Sequence, residues 1–177
     1  MNHKVENQFQ HIDAKSAKLL ADLKRYTDGQ LNQKPSPAAW SVMEVLQHLL
    51  LVEKVSQQYV QKKLSFNPTL KDANLLTSLR MRAAYLYNFL PIKLKAPKYV
   101  DERNFSSNIN LSDISAQWQT QRQQLQAYLA TLPEEIFKKE VYKNPVVGRL
   151  SLFGMLQFFE GHFDRHHRQI KQLLKGL

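Results

Sequence analysis

His162 and His166 stand four residues apart in the stretch EGHFDRHHRQI, Glu160 to Ile170. On a helix this spacing puts both rings on one face, with Cβ atoms about 5–6 Å apart. Two neutral imidazoles so placed can share one divalent ion. The pair differs from the zincin motif, because Phe163 rather than a glutamate follows the first histidine. Taken alone, His-x-x-x-His arises often by chance, so a third donor decides its meaning. His48 is that candidate, on the apolar stripe Val45, His48, Val52, Val55. A single buried histidine is explained by a bond to a carbonyl. Three unbonded ones at one depth would be expensive, and a shared ion removes the expense.

The elements that must bring these rings together are helices. Apolar residues recur at helical spacing in four long segments. The first runs from about Asn2 to Thr27, with Val5, Phe9, Ile12, Leu19, Leu20, Leu23 and Tyr26 on its stripe. DGQLNQKPSPAA then breaks it at Gly29, Pro35 and Pro37. The second starts at WSVME: Ser41 is the N-cap, Glu44 completes a capping box and Trp40 can staple onto Val45. It continues to about Lys63. A helical stretch follows with Leu75, Leu76, Leu79, Ala83, Leu86 and Leu90 in phase, which Pro91 ends or kinks. The third long helix starts near Ser112, carries Ile114, Trp118, Leu125, Tyr128, Leu129 and Leu132, and stops at Pro133. EEIFKKEVYKNPVVGRL is a connection with a turn at Pro145 and Gly148. The fourth helix, about Ser151 to Leu174, bears Leu152, Met155, Leu156, Phe159, His162, Phe163, His166, Ile170 and Leu173.

This pattern predicts an all-α four-helix bundle of one domain, residues 1–177, with an extra helix in the long connection between helices 2 and 3. That connection can span the bundle, so helices 2 and 3 can be parallel. His48 lies about 10 Å into helix 2, and His166 about 12 Å from the end of helix 4, at 1.5 Å per residue. If those helices are antiparallel, the three rings share one level. His167 points about 100° away from His166 on such a helix, and His3 and His11 carry no signal. Glu44, one turn before His48, is a candidate acceptor for an imidazole N–H, although its capping role competes. Glu160 and Asp164 fall off the stripe and read as solvated.

Composition narrows the function. The chain has no cysteine, hence no disulfide, thiolate nucleophile or cysteine-bound metal. Its 5 glycines leave few hairpin signals. The net charge of +10 raises nucleic acid as a partner, but the basic residues are dispersed. The densest part, Arg80 to Arg103, includes Arg82, Lys93, Lys95 and Lys98. No reading helix or zinc finger accompanies it, so specific nucleic-acid binding is not expected. No apolar run is long enough to span a bilayer, and MNHKVENQFQHIDAK lacks a signal-peptide core. A soluble cytoplasmic protein with no membrane partner is the expectation.

Two motifs, WSVMEVLQHLL and NPVVGRLSLFGMLQFFEGHFDRHHRQI, together resemble the DinB-like (YfiT-like) superfamily. The shared features are a Trp-Ser helix start with a histidine seven residues after the serine, a Pro-x-x-Gly turn, and a last helix carrying His-x-x-x-His and ending in Arg-Gln-Ile. KAPKYV is similar to the family's crossover, and the resemblance covers essentially the whole chain. It implies an up-down-down-up bundle, often a homodimer, with a divalent ion on His48, His162 and His166. It further implies a metal-dependent hydrolase, or a thiol S-transferase using bacillithiol, mycothiol or glutathione, acting on a small molecule. The nucleophile would be a water or an exogenous thiol, with no catalytic side chain assigned. A non-catalytic metal-binding stress-response protein is the alternative. Three imidazoles suit zinc, nickel, iron or copper alike.

Overall fold

The computed structural model describes residues 3–89, 96–107 and 109–177. Six helices are present among them: α1 (His3–Leu23), α2 (Asp28–Asn32), α3 (Val42–Ser65), α4 (Leu75–Tyr87), α5 (Leu111–Thr131) and α6 (Leu152–Leu174). A short hairpin, β1 (Tyr142–Asn144) and β2 (Gly148–Leu150), precedes α6.

Helix starts follow local chemistry. At α3, Ser41 Oγ accepts from the Glu44 amide at 3.2 Å, and Glu44 Oε2 accepts from the Ser41 amide at 2.9 Å. This is the capping box read from the sequence, and such a cap is worth about 1 kcal/mol. It fixes where α3 begins and therefore how deep His48 sits. Ser151 caps α6 through the Gly154 amide, and Asn110 caps α5 through the Asp113 amide.

Two connections hold more structure than their sequences announced. The break after α1 contains α2, because Thr27 and Gln30 form a second capping box and Leu31 is fully buried. Gly29 sits in its first turn instead of breaking it. The turn before α6 is a true hairpin pairing Tyr142 with Leu150 and Asn144 with Gly148. Asn144 Oδ1 accepts from the Val146 and Val147 amides, and Gly148 adopts φ +88°, a conformation glycine supplies without strain.

The four long helices form a ring in which α6 packs on α1 and α3, and α5 packs on α3 and α1. Two apolar clusters reveal their directions. One joins the end of α1 and of α6 (Leu23, Ile170) to the starts of α3 and α5 (Val42, Leu111). The other joins the starts of α1 and α6 (Val5, Leu152) to the later parts of α3 and α5 (Val60, Leu129). Hence α1 and α6 run one way while α3 and α5 run the other. This is the up-down-down-up arrangement, with α3 and α5 parallel and the connection between them carrying α4.

The extra helix is oriented differently from the simplest reading of its leucines. Thr77 and Ala84 are buried, whereas Leu75, Leu76, Leu79 and Leu86 are exposed. Leu90 and Pro91 lie outside the described residues. α4 approaches α6 at two glycines seven residues apart. A Cβ on Gly154 would stand 2.7 Å from Met81 Cγ, and one on Gly161 would stand 3.0 Å from Asn88 Nδ2. No helix among the described residues is long and apolar enough to cross a membrane.

Candidate metal centre

The antiparallel pairing of α3 with α6 brings His48 to His162 and His166. One ligand-type nitrogen from each ring lies within 4.8 Å of the other two. His162 Nε2 is 3.3 Å from His48 Nε2 and 3.1 Å from His166 Nε2. Two nitrogens bound to one tetrahedral ion at zinc-type bond lengths would be separated by about 3.3 Å. His162 therefore already stands from both other rings at about the separation that a common ion would impose, and the third pair lies within 4.8 Å.

Ring orientation is set from behind. His48 Nδ1 lies 2.7 Å from the Val100 carbonyl, which can only accept, so Nδ1 carries the proton and Nε2 turns a lone pair inward. His166 Nδ1 lies 2.8 Å from Gln169 Oε1, which assigns the same tautomer. One proton on His162 Nε2 cannot saturate both facing lone pairs, while a cation can. The donor set fits a divalent metal: three neutral imidazoles, two held by partners on their outer nitrogen as metal-binding histidines usually are.

Electrostatics keep the rings neutral. Burial pushes the His166 pKa down to about 3, and His48 opposes its protonation further. His162 falls well below the ordinary histidine range through burial, then through His166, His48 and Arg165. His48 is lowered by burial, against the bond to Val100. Protons therefore do not compete for these nitrogens near neutral pH.

Aromatic rings complete the walls. Trp40 lies 5.0 Å from His48 between centroids, and Phe158 stacks on His162 at 5.4 Å. Tyr142 continues that wall against Phe158, its hydroxyl 3.0 Å from Ser56 Oγ, and burial pushes its pKa up to about 12. His48 is buried, while His162 and His166 each keep a small exposure.

The remaining sequence candidates are placed elsewhere. His167 is not part of the cluster and packs on Phe163. Glu44 does not reach His48 as a proton acceptor: its oxygens serve the α3 cap and a 2.7 Å pair with Lys34, and Val100 takes the His48 N–H instead. Glu160 and Asp164 are not simply solvated. Lys15 of α1 bridges them at 3.2 and 2.6 Å, tying α1 to α6. Val100 and Gln169 were missed: a carbonyl has no side-chain signature, though Gln169 is visible three residues after His166.

Comparison with known proteins agrees with this architecture. The DinB superfamily model matches residues 11–170. The Bacillus subtilis (strain 168) protein YuaE is 30% identical over 152 residues, covering 86% of this chain and 88% of YuaE. YfiT from Bacillus subtilis, described as a probable metal-dependent hydrolase with an unusual four-helix bundle topology, superposes with a TM-score of 0.66 at 18% identity, over 99% of this chain and 88% of YfiT. The chain belongs to the DinB superfamily.

Proposed function

We propose that this DinB-superfamily chain is a metal-dependent enzyme acting on a small molecule, with His48, His162 and His166 as the metal ligands and hydrolysis as its reaction. The carrying observation is the convergence of three imidazole nitrogens within 4.8 Å of one another. A structural site would be closed by a fourth protein ligand, and no cysteine, carboxylate or further histidine among the described residues joins this cluster. When bound, a divalent ion would supply Lewis acidity and draw the pKa of a water at its remaining position toward neutrality.

The chain's own residues prepare that site. Val100 and Gln169 fix the tautomers of His48 and His166. Trp40 and Phe158 hold ring orientation and keep water from the faces of His48 and His162. The apolar walls favour a substrate with an aromatic or aliphatic part beside the scissile group. YfiT's description as a probable metal-dependent hydrolase supports hydrolysis as the first reading. The absence of cysteine supports a second: in a thiol S-transferase the sulfur would come from an external thiol of the bacillithiol or glutathione type.

Elemental analysis of the purified chain, followed by ester and amide hydrolysis and thiol–electrophile conjugation with and without chelator, tests this. The expected result is one divalent ion per chain, hydrolysis lost on chelation, and inhibition by added thiols. Metal-dependent conjugation without hydrolysis would establish the transferase instead. A stoichiometric ion with neither activity would leave a metal-binding stress-response protein. A folded chain that takes up no zinc, nickel or iron would end the reading altogether.

A further inference from the structure

Arg165 stands at the edge of the metal centre. Successive residues of a helix turn by about 100°. On α6, Gly161 faces Asn88 of α4, and His162 faces His48 of α3. Arg165 comes one turn after Gly161 and three residues after His162, in the seam between α4 and the histidine cluster. It is half-buried, and its guanidinium lies over the Tyr87 ring, 5.6 Å from the centroid. Its charge opposes protonation of both His162 and His166. The hydroxyl of that same Tyr87 is buried and has no hydrogen-bond partner among the described residues, an uncommon state for a buried polar group.

Charge selects what belongs there. Three neutral imidazoles leave a divalent ion its full charge, and Arg165 adds one more. The charges acting on the three rings are those of the histidines themselves and of Arg165, with no carboxylate among them. Every Asp and Glu of the chain lies among the described residues. Those nearest the site in sequence are engaged: Glu160 and Asp164 with Lys15, Asp101 with Arg103, Glu44 with Lys34. Charge gathered in a partly buried site without a counter-charge is costly, and an anionic occupant removes that cost. Resting on the metal reading above, we propose that the substrate carries an oxyanion, a carboxylate or phosphate, bound by Arg165 at the rim of the ion with a second bond from the Tyr87 hydroxyl. The forked donors of a guanidinium match either group. Trp40 and Phe158 then receive the apolar part of the same molecule. The substrate class is an aryl or alkyl compound with an anionic group beside the reacting one.

The full chain loaded with cobalt(II) tests this through its visible absorption, without turnover, as benzoate, phenyl phosphate and benzamide are titrated in turn. One anion should bind at least about tenfold more tightly than benzamide, and the better of the two names the class. Arg165→Met should weaken that anion about tenfold while leaving benzamide binding and cobalt content unchanged, and Arg165→Lys should recover part of the loss. Tyr87→Phe should cost about threefold. Arg82→Met, on the exposed face of α4, should change nothing. Equal binding of benzamide and both anions would overturn the proposal. So would an Arg165→Met variant that binds the anion as the parent does, one that loses its cobalt, or an equal loss of anion binding in Arg82→Met. A chain that takes up no cobalt shows no visible band before any probe is added; that result overturns the metal reading itself, and this proposal with it.

Discussion

Two polar groupings are buried along α3, five residues apart in sequence, and they solve the same problem in opposite ways. Glu53 meets Arg122 of α5 through two bonds of 2.8 Å, and beside them Gln121 donates to Gln57 at 2.6 Å. Both Glu53 oxygens and the Gln57 amide oxygen there accept from a partner. His48 meets His162 and His166 of α6, and there a single proton on His162 Nε2 would face two lone pairs. The first grouping is finished by the protein itself and joins the parallel pair of helices. The second is left incomplete toward its centre and joins the antiparallel pair. Polarity in a core is therefore not the mark of a site; polarity that the fold leaves unsatisfied is.

The largest effect should come from breaking the finished pair. Arg122→Ala strands the Glu53 carboxylate and should destabilise the fold by about 3–5 kcal/mol in urea unfolding. Replacing both by methionine should be far milder. Metal content per folded molecule should be unchanged in the double variant. If Arg122→Ala proves harmless, the pair is not the closed unit described here.

Breaking the incomplete cluster should do the reverse. His48→Ala, His162→Ala or His166→Ala should leave the metal-free fold near its original melting temperature, yet reduce metal affinity by more than the roughly 10–100-fold expected for losing an outer partner. His167→Ala should keep the ion. Equal metal content in His162→Ala and the parent, by elemental analysis, would dissolve the contrast. Gln169→Ala should fall between, weakening binding about tenfold by freeing the His166 ring.

Acid sharpens the comparison further. The folded pKa of His166 is near 3, below that of a histidine in the unfolded chain. Between those values the unfolded state binds more protons, so stability rises with pH through that window. The histidines' contribution is fully present above about pH 6.5 and is lost as pH falls toward 3. His166→Phe in the metal-free protein should flatten the melting temperature between pH 6.5 and 4 relative to the parent. An unchanged pH profile would show that the ring is not held neutral by burial.

The long helices and their heading into the core were legible because caps and apolar spacing are local signals. Ser41 and Glu44 announce where α3 starts, and that start fixes the depth of His48. The stripe that holds His162 and His166 is readable in the same way. What escaped was tertiary. The outward turn of the α4 leucines depends on Gly154 and Gly161 of a distant helix offering a closer fit to Met81 and Asn88. α2 escaped because Gly29 and the prolines outweighed Thr27 and Gln30 in a window that does not show Leu31 being buried. Val100 acts through a backbone carbonyl, which carries no side-chain signal in the sequence.

The two nitrogens at the heart of the cluster, on His48 and His162, come from residues 114 positions apart. An ion held between them would bind the folded chain and have little grip on the unfolded one. Folding and metal uptake are then linked by mass action, with each tenfold rise in free metal above the dissociation constant adding about 1.4 kcal/mol of stability. The melting temperature of this bundle would then track free metal in its surroundings, and depletion of the ion would mark the chain for unfolding.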